Sequence, residues 1–172
     1  LNIMDSDESE MIDTYYNDGQ MLLKNDVTKV KIRTIAGVFP SVIQIVQSVQ
    51  VNKQVTVDKE EMEESLDRID LLSSETDDII KFSIKNDEMK IYVAGTQRGN
   101  IEETILCESD GLVSGEEFNI AINIKYLKEA INHLTGTKLT YNFNSNLKPF
   151  TVETEEKNYE ENVSLILPVR TY

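Results

Sequence analysis

The sequence predicts an α+β fold made of repeated units. Three observations carry this. Period-two apolar runs separated by Asn-Asp and Asp-Gly turns mark short antiparallel strands. Two segments, beginning near Met62 and Ile124, instead place apolar residues three and four apart, the stripe of an amphipathic helix. The order strand, helix, strand, strand, strand then occurs twice between Gln54 and the end of the chain. Units that cannot each bury a face alone pack on one another, so helices on one side and antiparallel sheets on the other are expected.

The elements follow in order. Leu1–Met4 reads as the tail of a helix, and Asp5–Glu10 as a solvated acidic loop. Strands are expected at Met11–Asn17, Gln20–Lys24 and Thr28–Ile35, where Val30, Ile32 and Thr34 oppose Lys29, Lys31 and Arg33. Helix tail plus three strands is the same unit without its front. Ile43, Ile45 and Val46 read as an extended connector, and residues 47–54 as a domain boundary. Residues 1–48 are thus the latter half of one domain and residues 49–172 a complete second one.

In that second domain Val55–Val57 is a strand and Asp58 an N-cap, with Glu60 and Glu61 in the first helical turn where the dipole favours them. Met62, Leu66, Ile69 and Leu72 form the buried stripe of a helix ending near Ser74. Strands at Ile79–Lys85, Glu88–Ala94 and Asn100–Glu108 complete the unit. The second unit has a strand at Glu116–Ile122, a helix capped by Asn123 and striped by Ile124, Leu127, Ile131 and Leu134, and strands at Lys138–Phe143, Pro149–Thr154 and Val163–Val169.

Composition narrows the function. The 172 residues carry a net charge of −14, which excludes a chain that grips nucleic acid over its whole surface. A single cysteine, Cys107, excludes an internal disulfide and suits a reducing, cytoplasmic setting. No apolar run reaches the length of a membrane span. One His, one Cys, no Gly-rich phosphate loop, no metal-ligand spacing and no nucleophile elbow argue against an enzyme, and no cofactor is expected.

The closing strand is ambiguous. Val163, Leu165, Leu167 and Val169 share one face, yet the other carries Ile166 and Pro168 beside Arg170. Proline lacks an N–H and belongs on an edge. The strand can seal a core or form one wall of a groove for a partner peptide.

Four segments resemble a known family. Gly37-Val-Phe-Pro40, Asp67-Arg-Ile-Asp-Leu-Leu-Ser-Ser-Glu75, Phe118-Asn-Ile-Ala-Ile-Asn-Ile-Lys-Tyr-Leu127 and Leu167-Pro-Val-Arg170 resemble, in order and spacing, landmarks of the bacterial DNA polymerase III beta subunit, the replication sliding clamp. The resemblance implies a DNA clamp fold and a non-catalytic processivity factor. It implies a homodimeric ring around duplex DNA in the full-length protein, loading by a clamp loader, and docking of DNA polymerase and repair proteins through short linear peptides.

The same resemblance implies site residues. The partner-peptide pocket would draw on Pro40, Ile45, Asn123, Tyr126, Leu147, Pro149, Leu165, Ile166, Leu167, Pro168, Val169 and Arg170. On the closing strand Val163 is expected in the core, Leu165 and Leu167 in core and rim together, and Ile166, Pro168 and Arg170 against the partner. Leu71, Leu72, Glu102 and Glu103 would form this domain's share of a subunit interface, and Arg68, Lys125 and Lys128 would face DNA, weakly in this chain. Gln44 and Asp77 depart from the family's usual residues, and Val169 replaces a flexible Met, which bears on partner choice. The alternative is a truncated or phage-encoded stand-alone module that binds such peptides without encircling DNA.

Overall fold

The computed structural model describes residues 11–38, 41–73, 78–96, 99–155 and 163–170, with backbone alone at 42, 43, 72, 73, 94–96, 99 and 100. Leu1–Met4, the acidic loop, Pro40, the Leu72 side chain and Asp77 lie outside this description. The chain divides into two compact units, Leu1–Ser41 and Val42–Tyr172.

The first unit is a three-stranded antiparallel sheet, β1 (Asp13–Asn17), β2 (Gln20–Lys24) and β3 (Lys29–Arg33), in the order β1-β2-β3. Asp18 and Gly19 both take positive φ, 42° and 75°, in a two-residue turn whose twist suits a tight hairpin. Val30 and Ile32 are half-buried while Lys29, Lys31 and Arg33 are exposed, the expected alternation.

The second unit opens on α1 (Val42–Gln47). This corrects the extended connector expected there. Ser41 occupies the position before the helix, where a hydroxyl is favoured, and the Ser48 N–H donates to Gln44 O at 3.0 Å. A helix this short has too few residues to display a 3.6-residue period.

The two repeats follow. The first is β4 (Lys53–Asp58), α2 (Lys59–Ser73), β5 (Ile79–Lys85), β6 (Glu88–Thr96) and β7 (Gly99–Asp110). The second is β8 (Phe118–Asn123), α3 (Ile124–Asn132), β9 (Lys138–Phe143), β10 (Phe150–Thr154) and β11 (Val163–Ile166). Asp58 caps α2 by accepting from the Glu61 N–H at 3.0 Å. Met62, Leu66 and Ile69 of α2, like Ile124, Leu127 and Ile131 of α3, are fully buried against the sheet. A cluster of Phe82, Tyr141, Phe143 and Phe150 fills the core between them.

All eight strands form one antiparallel sheet, ordered β11-β10-β9-β4-β7-β6-β5-β8. Each repeat lends its first strand to the other: β4 pairs with β9, and β8 with β5. The last strand of the first repeat also changes partner along its length, and the tail after the last strand of the second does the same. In β7, Ile101 to Leu106 pair with β6 and Cys107 to Asp110 with β4. β11 pairs with β10 and ends at Ile166; beyond it, after Pro168, the Val169 N–H donates to Ala121 O of β8 at 2.8 Å.

Asp58 and Asn123 stand in equivalent places before the helices, which equates Ala121 with Thr56. Thr56 pairs with Glu108, so Val169 corresponds to Glu108, and Ile166-Leu167 to Ile105-Leu106. Exposure agrees: Ile105 and Ile166 are 2% and 5% exposed, Leu106 and Leu167 72% and 67%. The expected faces of the closing strand are therefore inverted. Phe150 lies directly opposite Ile166, and directly opposed residues share a face, so Ile166 joins Phe150 in the core. Ser164 points the same way, its hydroxyl donating to Ala130 O of α3 at 3.3 Å. Val163, expected in the core, is half-buried on the other face.

Candidate functional site

Two clefts lie within the second unit on either side of the loop at 144–149. The loop is held from beneath. The Asn52 N–H donates to Phe143 O at 2.9 Å, and the Asn144 side chain donates to Gln50 O at 2.9 Å. One cleft, of about 320 Å³, runs between the loop and the end of α1, with Ile45, Val49, Gln50, Asn144, Lys148 and Pro149 in its walls. The Ser48 hydroxyl donates to Ile45 O at 2.7 Å and fixes its far side. The other cleft, of about 200 Å³, lies over the outer sheet face, among Lys81, Tyr92, Asn119, Asn146, Leu147 and Val169. The Val169–Ala121 hydrogen bond holds the C-terminal tail as its wall.

The structure thus joins Ile45 to Pro149, and Leu147 to Val169. Ile45, Leu147 and Leu167 are exposed, although large apolar side chains normally gain about 1.5–3 kcal/mol each from burial. Leu165 and Pro168 are half-buried and Arg170 is exposed. Tyr126 is exposed on α3 but lines neither cleft. Ile166 is removed from the set, because its side chain is in the core. Asn123 caps the helix, its side-chain oxygen accepting from the Lys125 and Tyr126 N–H groups at 3.0 and 3.2 Å, and lines neither cleft. Lys81, Tyr92, Asn119, Asn146 and Lys148 join the site without any signal in the sequence. The Asn144–Pro149 turn residues mark a loop, but period and composition say nothing of which strand face lies beside it.

The cations expected to face DNA are all compensated. Arg68 holds Glu103 at 3.0 Å and Glu64 at 3.5 Å, Lys125 holds Asp78 at 2.7 Å, and Lys128 holds Asp70 at 2.7 Å and Asp67 at 3.0 Å. Hydrogen bonding to these carboxylates raises the pKa of all three, with Glu103, Asp78 and Asp70 the largest causes. Glu103 therefore ties the expected interface to the expected DNA face. Glu102 pairs with Lys90 at 3.0 Å, and Leu71 is 75% exposed, which excludes a core role for it.

Burial pushes the Cys107 thiol up to about 11, away from a reactive thiolate. Among the described residues no group of His, Cys, Asp and Glu is arranged to hold a metal ion.

A duplicated strand-helix-strand-strand-strand domain, with two helices on one face of a continuous antiparallel sheet, defines a protein of the DNA clamp class. The chain belongs to the DNA polymerase III beta subunit family: residues 49–170 match the model described as "DNA polymerase III beta subunit, C-terminal domain". It is 29% identical over 168 residues to the beta sliding clamp of Bacillus subtilis, covering 96% of this chain and 43% of that protein. The beta sliding clamp of Staphylococcus aureus (strain COL) is 26% identical over 173 residues, covering 100% of this chain and 44% of that protein. The chain thus spans less than half the length of these curated relatives. Among solved structures, the Streptococcus pneumoniae DNA polymerase III beta chain superimposes with a TM-score of 0.75 at 26% identity, over 93% of this chain and 41% of that one. The Thermotoga maritima beta subunit superimposes with a TM-score of 0.77 at 19% identity, over 99% and 45%, a likeness of fold.

Proposed function

We propose that this chain supplies the peptide-docking part of a DNA replication processivity clamp, and that the two clefts with the tail between Leu167 and Arg170 receive short linear peptides of polymerase and repair proteins. The observation that carries this is the exposure of Ile45 and Leu147 in the two clefts that flank one loop, with exposed Leu167 two residues before Val169 in the tail, in a domain whose other exposed large apolar residues among those described line neither cleft. A docked Leu and Phe would bury against them, while Arg170 and the neighbouring amides would fix the backbone. Residues 1–48 as half of a middle domain and residues 49–172 as a whole C-terminal domain fit the same assignment. So do a subunit interface through Leu71 and Glu103, a cytoplasmic location and the absence of catalysis. The relatives' printed name, beta sliding clamp, supports the clamp role, and a homodimeric ring on duplex DNA, placed there by a clamp loader, belongs to the same proposal.

A second function is favoured by one observation. Because Arg68, Lys125 and Lys128 are each committed to carboxylates, this chain suits a module that binds clamp-directed peptides without holding DNA.

The test is fluorescence anisotropy with a labelled Gln-Leu-Ser-Leu-Phe peptide. Saturable binding is expected for the whole chain, and its loss on deleting Pro168–Tyr172. Binding unchanged by that deletion would sink the docking assignment.

A further inference from the structure

The charge pattern around the two clefts identifies the peptide chemistry they accept. In the second unit most cations are neutralised locally. Besides Arg68, Lys125 and Lys128, Lys53 holds Glu116, Lys59 holds Glu63, Lys90 holds Glu102 and Lys138 holds Glu108. Among the described residues of that unit, Lys81, Lys85, Lys148 and Arg170 hold no carboxylate at ion-pair distance. Three of these four stand at the site. Lys81 lines the cleft with Leu147 and Val169, Lys148 lines the cleft with Ile45 and Pro149, and Arg170 follows Val169 in the tail.

The clefts are also free of acid. In a chain with 31 Asp and Glu, no described carboxylate lines either one. The contrast is the cleft containing Lys85, where Glu88 and Glu117 stand beside Lys85 and Lys90. Half-buried Lys81 lies among Tyr92, Asn119 and Asn146; the Tyr92 hydroxyl and the Asn146 amide can donate to a carboxylate, while the Asn119 amide already donates to Glu117, outside the cleft lining, at 3.3 Å.

We propose that the groove selects peptides whose apolar anchor is flanked by Asp or Glu, with Lys81 and Lys148 as the selecting residues, one in each of the two clefts that flank the 144–149 loop, and Arg170 assisting. This rests on the docking function proposed above and adds the charge of the partner to it. The chain's net charge of −14 repels an acidic peptide at a distance. Screening within about 8 Å at physiological ionic strength removes most of that repulsion, whereas pairing at contact inside a cleft survives.

Two labelled peptides decide the matter, both containing Gln-Leu-Ser-Leu-Phe, one flanked on each side by Asp and the other by Asn. Anisotropy at about 50 mM salt should give the Asp peptide roughly 5-fold tighter binding, and the advantage should shrink at about 500 mM. The double variant Lys81→Gln/Lys148→Gln should bind both peptides alike, at the affinity of the Asn peptide. Lys85→Gln, which removes a cation away from the groove, should keep the preference. Equal binding of the two peptides by the native chain would overturn the selection and leave docking intact. A preference lost equally in Lys85→Gln would also overturn it, since net charge rather than the groove would then be responsible. Failure of both peptides to bind would overturn docking and selection together.

Discussion

Tyr141 shows how one residue can be settled by packing against its own chemistry. Its ring is fully buried, stacked on Phe143 at 6.0 Å between centroids and edge-on to Phe82 at 6.1 Å. Its hydroxyl has no hydrogen-bond partner among the described residues, and burial drives the phenol's pKa upward. A buried hydroxyl without a partner forfeits its hydration, a cost of about 1–3 kcal/mol. The ring nevertheless stays, because its contacts in the Phe82, Phe143 and Phe150 cluster exceed that cost. Tyr141→Phe keeps those contacts and removes the stranded oxygen. It should leave the protein equally stable or stabilise it by about 1 kcal/mol. Chemical denaturation would measure this, and a loss of more than about 1 kcal/mol would mean that a bound water satisfies the hydroxyl.

At the scale of elements, what is legible in the sequence depends on length. The helices α2 and α3 run long enough to show a stripe, and Met62, Leu66, Ile69, Ile124, Leu127 and Ile131 all reach the core as their spacing requires. The turns at Asp18-Gly19 and Asn86-Asp87 announce their hairpins, because few residue pairs tolerate positive φ twice. The helix α1 is hidden by brevity. The closing strand is hidden for another reason: apolar residues occupy both of its faces, so period two cannot choose between them. Packing chooses, since α3 lies over Ser164 and Ile166 while Leu165 and Leu167 turn outward. The repeat holds the missing signal, for Ile105-Leu106 occupies the place in β7 that Ile166-Leu167 occupies at the end of β11 and just past it. The two residues of the pair should therefore part in their effects. Ile166→Ala should cost about 2–4 kcal/mol of stability by opening a cavity beside Phe150. Leu167→Ala should change stability by less than about 0.5 kcal/mol, yet weaken binding of the Gln-Leu-Ser-Leu-Phe peptide by about 10-fold through lost apolar contact. Thermal melts and anisotropy on the same two variants would measure both. Equal destabilisation would contradict the register of β10 with β11.

For the whole molecule the deciding quantity is where charge remains uncompensated. A ring that slides on DNA needs cations facing the duplex but must not grip it tightly. In this chain the cations proposed to face DNA, Arg68, Lys125 and Lys128, are drawn into ion pairs by Glu103, Asp78 and Asp70. Each phosphate must displace such a carboxylate, which stays on the same surface and repels it, so the net gain is small. The affinity of a protein for duplex DNA falls with salt in proportion to the phosphates it neutralises, with a log–log slope of about −0.9 for each. This chain should therefore show a slope shallower than about −2 and no retarded band at about 150 mM salt. Asp67→Asn/Asp70→Asn removes both partners of Lys128 and should steepen the slope by about one phosphate. The double variant does not touch the clefts, so its affinity for the Gln-Leu-Ser-Leu-Phe peptide should match that of the native chain. Titration of a short labelled duplex across a salt series would measure the slope. A native slope already as steep as that of the variant would show that the ion pairs on the helix face open readily for DNA, and that compensation does not limit its grip.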